Sequence, residues 1–292
     1  MTIEIAIAAG KGGTGKTFVA SNLIYYASNI KNINTIGVDC DVEAPDLALA
    51  LGGEDKILWQ EDYAGRLIPV IDYNKCTKCG LCVQACMFNA LEMTAKGPIV
   101  REELCEGLGA CYYACPVKAI SFERRSIGSV KAVYTKLSNL IVYGELELGG
   151  EMSGMLVNYL RDKARQYNPK LMVIDCPPGI GCPVISSIVG VNMLLVVMEP
   201  TKPSFQGAMR LLENVRNLVD DIKIIINKSN LNIDFTEKIK EKLGRYVIGE
   251  IPYDSLVYES YANLTPILKY SPSSRTSIML EAVLQSILEG VI

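Results

Sequence analysis

Short, continuous apolar runs recur along the chain, and segments with apolar residues at helical spacing separate them. Residues 3–9 and 171–175 form two such runs. The run at 171–175, which is apolar without interruption up to its final aspartate, is typical of a parallel strand that is covered on both faces. Further strands are predicted at 34–41, 193–198, 222–227 and 246–251. The alternation of strand and helix predicts an α/β fold with a doubly wound, mainly parallel sheet.

Residues 67–122 interrupt this alternation. Closely spaced cysteines replace the apolar runs in this segment. A pattern typical of a hairpin follows at 130–148. The chain is therefore predicted to contain a discontinuous main domain, residues 1–66 and 126–292, and an inserted domain, residues 67–125.

A glycine-rich loop joins the first predicted strand to the first predicted helix. It fits the pattern G-x-x-x-x-G-K-[ST]. The glycines let successive backbone N–H groups point at phosphate oxygens, and the N-terminus of the following helix adds to the attraction. Lys16 would neutralise the β- and γ-phosphates, and the Thr17 hydroxyl would ligate Mg²⁺. A plain glycine-rich turn is the alternative, but the strand–loop–helix context favours a P-loop nucleotide site made of Gly10, Lys11, Gly12, Gly13, Thr14, Gly15, Lys16 and Thr17.

The loop carries a second lysine, Lys11, directly after its first glycine. With this lysine the motif resembles the deviant Walker A motif of the MinD/ParA/Mrp family of dimerising ATPases. The resemblance implies a homodimer formed through the nucleotide face, in which Lys11 stabilises charge on the partner subunit's nucleotide and Lys16 acts within its own subunit. By spacing alone, Lys11 is an ordinary exposed loop lysine, and the later motifs favour the catalytic role.

Aspartates end two of the predicted strands. Asp39 and Asp41 end the second strand, and Asp175 ends the run at 171–175. The resemblance implies that Asp41 orients the attacking water near Mg²⁺, with Asp39 as a supporting neighbour. It also identifies the run at 171–175 as a Walker B strand whose aspartate holds the magnesium shell. Thr17, Asp41 and Asp175 form the predicted magnesium site, and a pair of solvated strand-end carboxylates is the alternative for Asp39 and Asp41.

Loops further along the chain match other nucleotide contacts of the family. The segment 177–179, Pro-Pro-Gly, resembles switch II, which senses the γ-phosphate, and Pro178 is assigned to the nucleotide site. Asn227, at the end of a predicted strand, and Pro252 and Asp254, after the last strand, match positions that contact adenine. A polar residue that caps a strand end is nearly as good an interpretation of Asn227.

The chain has ten cysteines and no histidine, and seven of the cysteines lie between positions 76 and 115. Their dense, ordered spacing indicates metal or cluster ligation in a reducing compartment rather than disulfides. The first four give C-x2-C-x2-C-x3-C, the run that binds [4Fe–4S] clusters in bacterial-type ferredoxins. The pattern recurs 29 residues later, so that Cys76, Cys82 and Cys86 correspond to Cys105, Cys111 and Cys115. Zinc is the alternative, which the duplicated spacing disfavours. Outside this segment, Cys40 is predicted to be a core thiol. Cys182 is predicted to be a packed thiol, with a redox-sensitive thiol or an additional ligand as the alternatives.

The cysteine-rich segment resembles a complete two-cluster ferredoxin of the small α+β type, inserted into the ATPase. In such modules the fourth cysteine of each run ligates the other cluster. The resemblance implies one [4Fe–4S] cluster held by Cys76, Cys79, Cys82 and Cys115, and a second cluster held by Cys86, Cys105 and Cys111. Leu108 stands where the fourth ligand of the second cluster is expected. A [3Fe–4S] cluster is favoured there, while a [4Fe–4S] cluster with a non-cysteine ligand and an empty site stay open.

Charge and hydropathy argue against two classes of partner. The net charge is −3 and the basic residues are scattered, which disfavours nucleic acid. The longest apolar runs are shorter than the roughly 18 residues of a membrane span. The amphipathic segment 277–292 carries glutamates but no lysine or arginine, so a packed helix is expected rather than one on a membrane surface. With no recognisable secretory signal, we expect a cytoplasmic protein that binds neither nucleic acid nor membrane.

The resemblance covers essentially the whole chain and points to MinD-superfamily ATPases that carry an inserted ferredoxin domain. It implies a slow, partner-regulated ATPase that couples nucleotide state to electron transfer with a partner redox protein. An iron–sulfur cluster carrier is an alternative, although carriers of the Mrp type hold a cluster near their C-terminus and no cysteine follows Cys182. A ParA/MinD-like positioning ATPase is a further alternative. The loop predicted at 144–154 is either an ordinary connector or a surface that responds to a partner.

Overall fold

The computed structural model describes residues 2–147 and 153–291. These residues form two compact units. The first unit comprises residues 2–61, 129–147 and 153–291, and the second comprises residues 62–128. Residues 148–152, in the loop predicted at 144–154, lie outside the described residues.

The secondary structure alternates between strands and helices in the first unit and is shorter and more irregular in the second. In chain order the strands are β1 (Ile3–Ala8), β2 (Thr35–Asp39), β3 (Glu54–Ile71), β4 (Leu91–Thr94), β5 (Gly97–Val100), β6 (Ile120–Thr135), β7 (Leu140–Leu146), β8 (Leu171–Asp175), β9 (Met193–Met198), β10 (Asp221–Asn227) and β11 (Val247–Ile251). The α-helices are α1 (Lys16–Tyr25), α2 (Leu47–Ala50), α3 (Leu81–Gln84), α4 (Ala110–Tyr113), α5 (Ser153–Arg165), α6 (Cys182–Ile188), α7 (Lys202–Val215), α8 (Ile233–Leu243), α9 (Ser255–Ala262), α10 (Ile267–Tyr270) and α11 (Arg275–Val291).

One large sheet organises the first unit. Its strand order in the described residues is β11-β10-β9-β1-β8-β2-β7-β6-β3. All neighbours from β11 to β7 pair in parallel, which confirms the mainly parallel α/β fold. Strands β6 and β7 follow each other along the chain and are neighbours in the sheet, as the hairpin pattern predicted. The chain leaves the first unit within β3 and returns to it within β6.

The core forms because the central strands are apolar along their whole length. Every residue of β8 and β9 is buried, as expected for strands covered on both faces. Apolar side chains of α1 and α11 pack with those of the strands in one core cluster. The acidic C-terminal helix therefore packs on the core, as predicted. None of the helices in the described ranges combines the length and the apolar character that crossing a membrane requires.

The sheet brings the chemically important strand ends together. Strand β1 lies between β8 and β9, so the chain continues on opposite sides of it. Such a change of direction opens a crevice at the carboxyl ends of parallel strands. Asp175 of β8 is in register with Ile7 of β1 and with Asp39 of β2. The glycine-rich loop and both predicted aspartate strands therefore meet at one edge.

The second unit repeats its backbone as well as its cysteines. Helices α3 and α4 occupy corresponding positions of the 29-residue repeat, and each follows a glycine with a left-handed backbone, Gly80 (φ 80°) and Gly109 (φ 78°). Asn89 and Lys118, which also correspond, have positive φ values of 55° and 51°. Strands β4 and β5 form a separate antiparallel pair. The sequence repeat is thus a structural repeat.

Candidate functional site

The glycine-rich loop packs directly against helix α7. A Cβ atom on Gly10 would lie 1.9 Å from the carbonyl carbon of Gly207, and one on Gly207 would lie 2.7 Å from the Gly10 oxygen. Both positions therefore require glycine. Gly13 and Gly15 have left-handed backbones, with φ values of 77° and 97°. These two bends lead the chain into the N-terminus of α1, where an anion is favoured.

Lys16 and Thr17 begin helix α1 beside the strand-end carboxylates. Burial raises the pKa values of Asp46 and Asp175, and the Lys16 charge and the Thr17 hydroxyl both act in the opposite direction. In the described residues, Thr14 Oγ1 and Asp175 Oδ1 are buried and have no hydrogen-bond partner. Buried polar atoms are normally paired. Their unused bonding capacity, next to a lysine and a hydroxyl, fits a nucleotide phosphate with its magnesium.

Asp39 is buried and organises the loop that follows β2. Its Oδ1 accepts a hydrogen bond from the backbone N–H of Asp41 at 3.0 Å. Its Oδ2 accepts from the backbone N–H groups of Asp46 and Leu47, both at 2.9 Å. Asp39 therefore fixes the backbone that carries Asp41 and Asp46, and its role beside an attacking water stays a prediction.

The carboxylates at this edge share a desolvated environment. Burial raises the pKa of Asp175 to about 7, against the opposing charge of Lys16. Burial also raises the pKa values of Asp39, Asp41 and Asp46. A bound cation would favour the ionised forms.

No group of three or more His, Cys, Asp or Glu side chains in the described part of the chain is arranged to hold a metal ion by itself. Magnesium usually takes only one or two carboxylates and completes its shell with water and substrate phosphates. Thr17, Asp41 and Asp175 fit that pattern in their chemistry, and their roles as ligands stay a prediction.

A cavity of about 300 Å³ opens beside the loop and unites several predicted residues. It is lined by Gly12, Gly13, Gly15, Lys16, Thr17, Phe18, Asp41, Asp46, Pro178 and Tyr261. The loop glycines, Asp41 and switch II proline therefore share one space, with Asp175 buried close by. Asp46 and Tyr261 were not predicted.

A larger cavity, of about 470 Å³, contains the positions matched to adenine contacts. Its lining residues are Asn227, Lys228, Pro252, Tyr253, Asp254, Val257, Tyr258, Tyr261 and Ala262. Tyr261 borders both cavities, so the two lie side by side. Three tyrosines in an apolar wall suit a planar aromatic base.

The polar residues of this cavity also support the backbone around it. Asn227 Nδ2 donates to the Thr14 carbonyl oxygen at 2.8 Å, which ties the end of β10 to the glycine-rich loop. Asp254 accepts from the Leu256 N–H at 3.0 Å as the N-cap of α9, and from the Thr276 hydroxyl at 2.9 Å. Both residues thus have structural contacts, and their contribution to base recognition stays a prediction.

Lys11 is partly exposed and pairs within its own subunit. Its Nζ lies 3.3 Å from Glu199 Oε2, and Lys228 Nζ lies 2.5 Å from Glu199 Oε1. Glu199 was not predicted, although it directly follows the apolar strand β9, the same strand-end signal that identified Asp175. Asp46 lies only five residues beyond Asp41 and carried no motif of its own.

The cysteines of the second unit line two cavities. The first contains Cys76, Cys79, Cys82 and Cys115 among its lining residues. The second contains Cys86, Cys105 and Cys111, together with Leu108. Each cavity thus combines thiols from both halves of the repeat. The two linings correspond to the two sets that the ferredoxin resemblance implied. No three of these thiols are arranged in the described residues to hold a metal ion by themselves, and their roles as cluster ligands stay a prediction.

Cys86 and Cys115, the last cysteines of the two runs, have equivalent surroundings. The Ala90 N–H donates to Cys86 Sγ at 3.3 Å, and the Ala119 N–H donates to Cys115 Sγ at 3.2 Å. Hydrogen bonds to ligand sulfurs are one of the factors that set the reduction potential of an iron–sulfur cluster. Elsewhere in this unit, burial raises the pKa values of the Cys82 and Cys111 thiols.

The cysteines outside this unit differ from one another. Cys40 and Cys176 are buried, as the core-thiol prediction for Cys40 required. Cys182 is exposed, so the prediction that it is packed was wrong. It is the first residue of α6, and a side chain at the first turn of a helix can point to solvent while the rest of the helix packs.

Comparison with known proteins identifies the family. The model of the CobQ/CobB/MinD/ParA nucleotide binding domain matches residues 5–267. The chain belongs to this family. An uncharacterised protein of Methanocaldococcus jannaschii is 33% identical over 290 residues, which cover 99% of this chain and 98% of that protein. An uncharacterised ATP-binding protein of the same organism is 30% identical over 266 residues, covering 88% of each chain.

The fold of this CobQ/CobB/MinD/ParA family member is similar to that of a solved structure of the septum site-determining protein MinD of Pyrococcus horikoshii, complexed with Mg-ADP. The TM-score is 0.62 at 19% identity, covering 99% of this chain and 98% of the other. A likeness at this identity supports the P-loop fold that the sequence predicted.

Proposed function

We propose that the chain is a slow, partner-regulated cytoplasmic ATPase whose nucleotide state controls electron transfer between an iron–sulfur module and a partner redox protein. The observation that carries the proposal is the division of seven cysteines into two sets around two cavities. The same chain holds a phosphate-binding loop with buried, unpaired polar atoms beside it. A nucleotide switch and a redox module are thus supported by separate observations.

In the nucleotide half, Lys16 and Thr17 would bind the phosphates, and Asp41 would orient the attacking water. Magnesium, when bound, would neutralise phosphate charge, with Thr17 and Asp175 among the residues that hold it. Lys11 would act on the nucleotide of a second copy of the chain, so that a homodimer is the active form. The raised pKa of Asp175 makes its ionisation dependent on the cation.

In the second unit, Cys76, Cys79, Cys82 and Cys115 would hold a [4Fe–4S] cluster. Such clusters supply one-electron transfer when bound. The other set offers three thiols, and Leu108, which is 72% exposed, has no atom that ligates iron. A [3Fe–4S] cluster is therefore the proposed occupant of the second site.

The position of β7 in the chain supports coupling between nucleotide state and the module. Strand β7 lies in the chain segment that returns from the second unit, and it pairs with β2, which ends in Asp39. Beyond this pairing, the Leu146 N–H donates to the Val42 oxygen at 2.9 Å. A change at Asp41 after hydrolysis would therefore act on β7, which follows β6, the strand on which the chain returns from the second unit.

The test is iron and sulfide analysis with EPR on anaerobically purified protein, oxidised and dithionite-reduced, with and without MgATP. We expect about seven iron atoms per chain, an oxidised-state [3Fe–4S] signal and a reduced [4Fe–4S] signal. At least one signal or its midpoint potential should change when nucleotide binds. About four iron atoms with no nucleotide effect, or equal ATPase rates in both redox states, would contradict redox coupling.

A second candidate, an iron–sulfur cluster carrier, is favoured by one relative. The iron–sulfur protein required for NADH dehydrogenase of Arabidopsis thaliana mitochondria is 22% identical over 303 residues. The incomplete thiol set at Leu108 would make its cluster easier to release. Transfer of iron and sulfide to an apo-acceptor protein at the rate of cluster loss would support the carrier, and an absence of transfer would exclude it.

The fold likeness to the septum site-determining protein favours a third candidate, a positioning ATPase. Such a protein would bind DNA or membrane in its ATP state. Co-sedimentation with DNA or with anionic liposomes, in the presence of MgATP, distinguishes this candidate from the redox switch.

A further inference from the structure

Glu199 lies between two lysines beside the phosphate-binding loop. Its Oε2 is 3.3 Å from Lys11 Nζ, and its Oε1 is 2.5 Å from Lys228 Nζ. The glutamate side chain is only 10% exposed, whereas that of Lys11 is 37% exposed. One nearly buried carboxylate is therefore shared by two cations, one of which is the lysine assigned to a partner's nucleotide.

The backbone around Glu199 places it firmly next to the loop. Glu199 follows β9, and its N–H donates to Ser204 Oγ, in helix α7, at 2.9 Å. The same helix meets the loop at the backbone contact between Gly207 and Gly10, the residue before Lys11. The position of Glu199 relative to Lys11 is thus set by tightly packed backbone.

The two lysines are held differently. Lys228 has a left-handed backbone with φ 55°, and its N–H donates to Asn227 Oδ1 at 3.0 Å. Its Nζ also donates to the Gly13 oxygen at 3.2 Å, so it spans the glutamate and the loop. Lys11 makes the longer contact with Glu199, while the two lysine side chains are about equally exposed, at 37% and 32%. Lys11 is therefore the cation that can leave, and Lys228 is the one that stays.

We propose that Glu199 is a positioning residue that holds Lys11 within its own subunit until the nucleotide of a second subunit competes for it. This inference rests on the homodimer of the proposed function. Phosphate oxygens carry more charge than one carboxylate and attract a lysine more strongly. When Lys11 leaves, Lys228 keeps the buried carboxylate paired, so the large penalty for an isolated buried charge is avoided.

The proposal predicts opposite effects for two substitutions that both remove one charge from the cluster. E199Q releases Lys11, so the dimer dissociation constant in saturating Mg-AMPPNP should fall about three- to fivefold, the effect of one partly exposed ion pair. K228M leaves Lys11 as the cation that must neutralise Glu199, so the constant should rise by a similar factor. K223M is the matched control, since Lys223 lies on β10, the strand that Lys228 directly follows, pairs with Asp221 at 3.0 Å and is 37% exposed, against 32% for Lys228. It should leave dimerisation unchanged.

Sedimentation velocity measures the dimer constant, and a separate nucleotide titration ensures saturation for each variant. A second measurement needs no dimer. In the nucleotide-free monomer, mass spectrometry would follow acetylation of Lys11, which E199Q should accelerate and K228M should slow. Shifts in the same direction for both variants, or no shift, would overturn the role of Glu199.

The variant K11A separates this inference from the proposed function. If K11A still dimerises with nucleotide, the proposed role of Lys11 in the homodimer fails. If K11A is monomeric while E199Q and K228M do not act in opposite directions, only the role of Glu199 fails.

Discussion

Arg161 of helix α5 is nearly buried and connects three elements of the first unit. Its side chain is 3% exposed. Nη1 donates to the carbonyl oxygens of Ser186 and Val189, at the end of α6, at 2.6 and 2.9 Å. Nη2 donates to Glu4 Oε2, on β1, at 2.7 Å. The substitution R161M keeps most of the side-chain volume and removes all three hydrogen bonds.

The expected loss of stability follows from these contacts. Two carbonyl groups that lose their donor cost about 1 kcal/mol each. Breaking a buried ion pair costs about 3–5 kcal/mol when the remaining charge has no partner. Here Glu4 keeps Arg165, whose Nε and Nη2 donate to it at 2.6 and 3.0 Å. We therefore assign about 1 kcal/mol to the lost pair, and about 3 kcal/mol in total.

Urea unfolding measures this loss, followed by the fluorescence of Trp59, the only tryptophan in the chain. Its indole N–H donates to the Tyr167 hydroxyl at 2.7 Å, so the probe reports on the first unit. R165M is the control, because Arg165 contacts the same glutamate but is 41% exposed. It should cost about 1 kcal/mol or less. Equal losses for R161M and R165M would refute the assignment of stability to burial and to the carbonyls of α6.

The pH dependence gives a second check. Burial acts to raise the pKa of Glu4, but the hydrogen bonds and charges of Arg165 and Arg161 outweigh it, and the pKa lies below its ordinary value of 4.5. A carboxyl group with a lowered pKa stabilises the fold above its ordinary value and loses this contribution as the pH falls through its folded-state value. The difference between wild type and R161M should be full at neutral pH and should shrink below pH 4.5.

Three further predictions concern the two sites. G10A should destabilise the protein by about 3 kcal/mol or more in urea unfolding and abolish nucleotide binding, because its Cβ would lie 1.9 Å from the Gly207 carbonyl carbon. G13A should cost only about 1 kcal/mol, because Gly13 has a φ of 77° but open space around it. L108C should supply a fourth thiolate, so the oxidised-state [3Fe–4S] EPR signal should disappear and a second [4Fe–4S] signal should appear after reduction. L108A should retain the oxidised-state signal, and persistence of that signal in L108C would argue against a cluster at this position. Burial raises the pKa of Asp175 to about 7, so Mg-ADP binding should tighten from about pH 6 to pH 8 as this carboxylate ionises. Calorimetric titration measures the affinity, and D175N should remove most of its pH dependence.

The parts that could be predicted are those set by neighbouring residues. The strand–loop–helix order around Gly10–Thr17 follows from an apolar run, flexible glycines and a helical pattern in direct succession. The mainly parallel sheet follows from strands that are apolar on both faces. The cysteine pattern likewise recurs after 29 residues, which predicts a repeated backbone. The left-handed backbones at the corresponding residues Gly80 and Gly109 agree with this repeat.

Contacts between distant segments were decided only by the tertiary structure. Nothing close to Lys11 in the chain indicates Glu199, and the hydrogen bond from Asn227 to Thr14 joins residues 213 positions apart. Tyr261 borders both cavities for the same reason. Chain spacing governs backbone conformation and side-chain periodicity, but the partner of a charged or polar group depends on how the elements pack. The sequence by itself therefore determined which chemical groups each site contains. The packing of β9, β10 and α7 on the glycine-rich loop decided which distant side chains contact that loop.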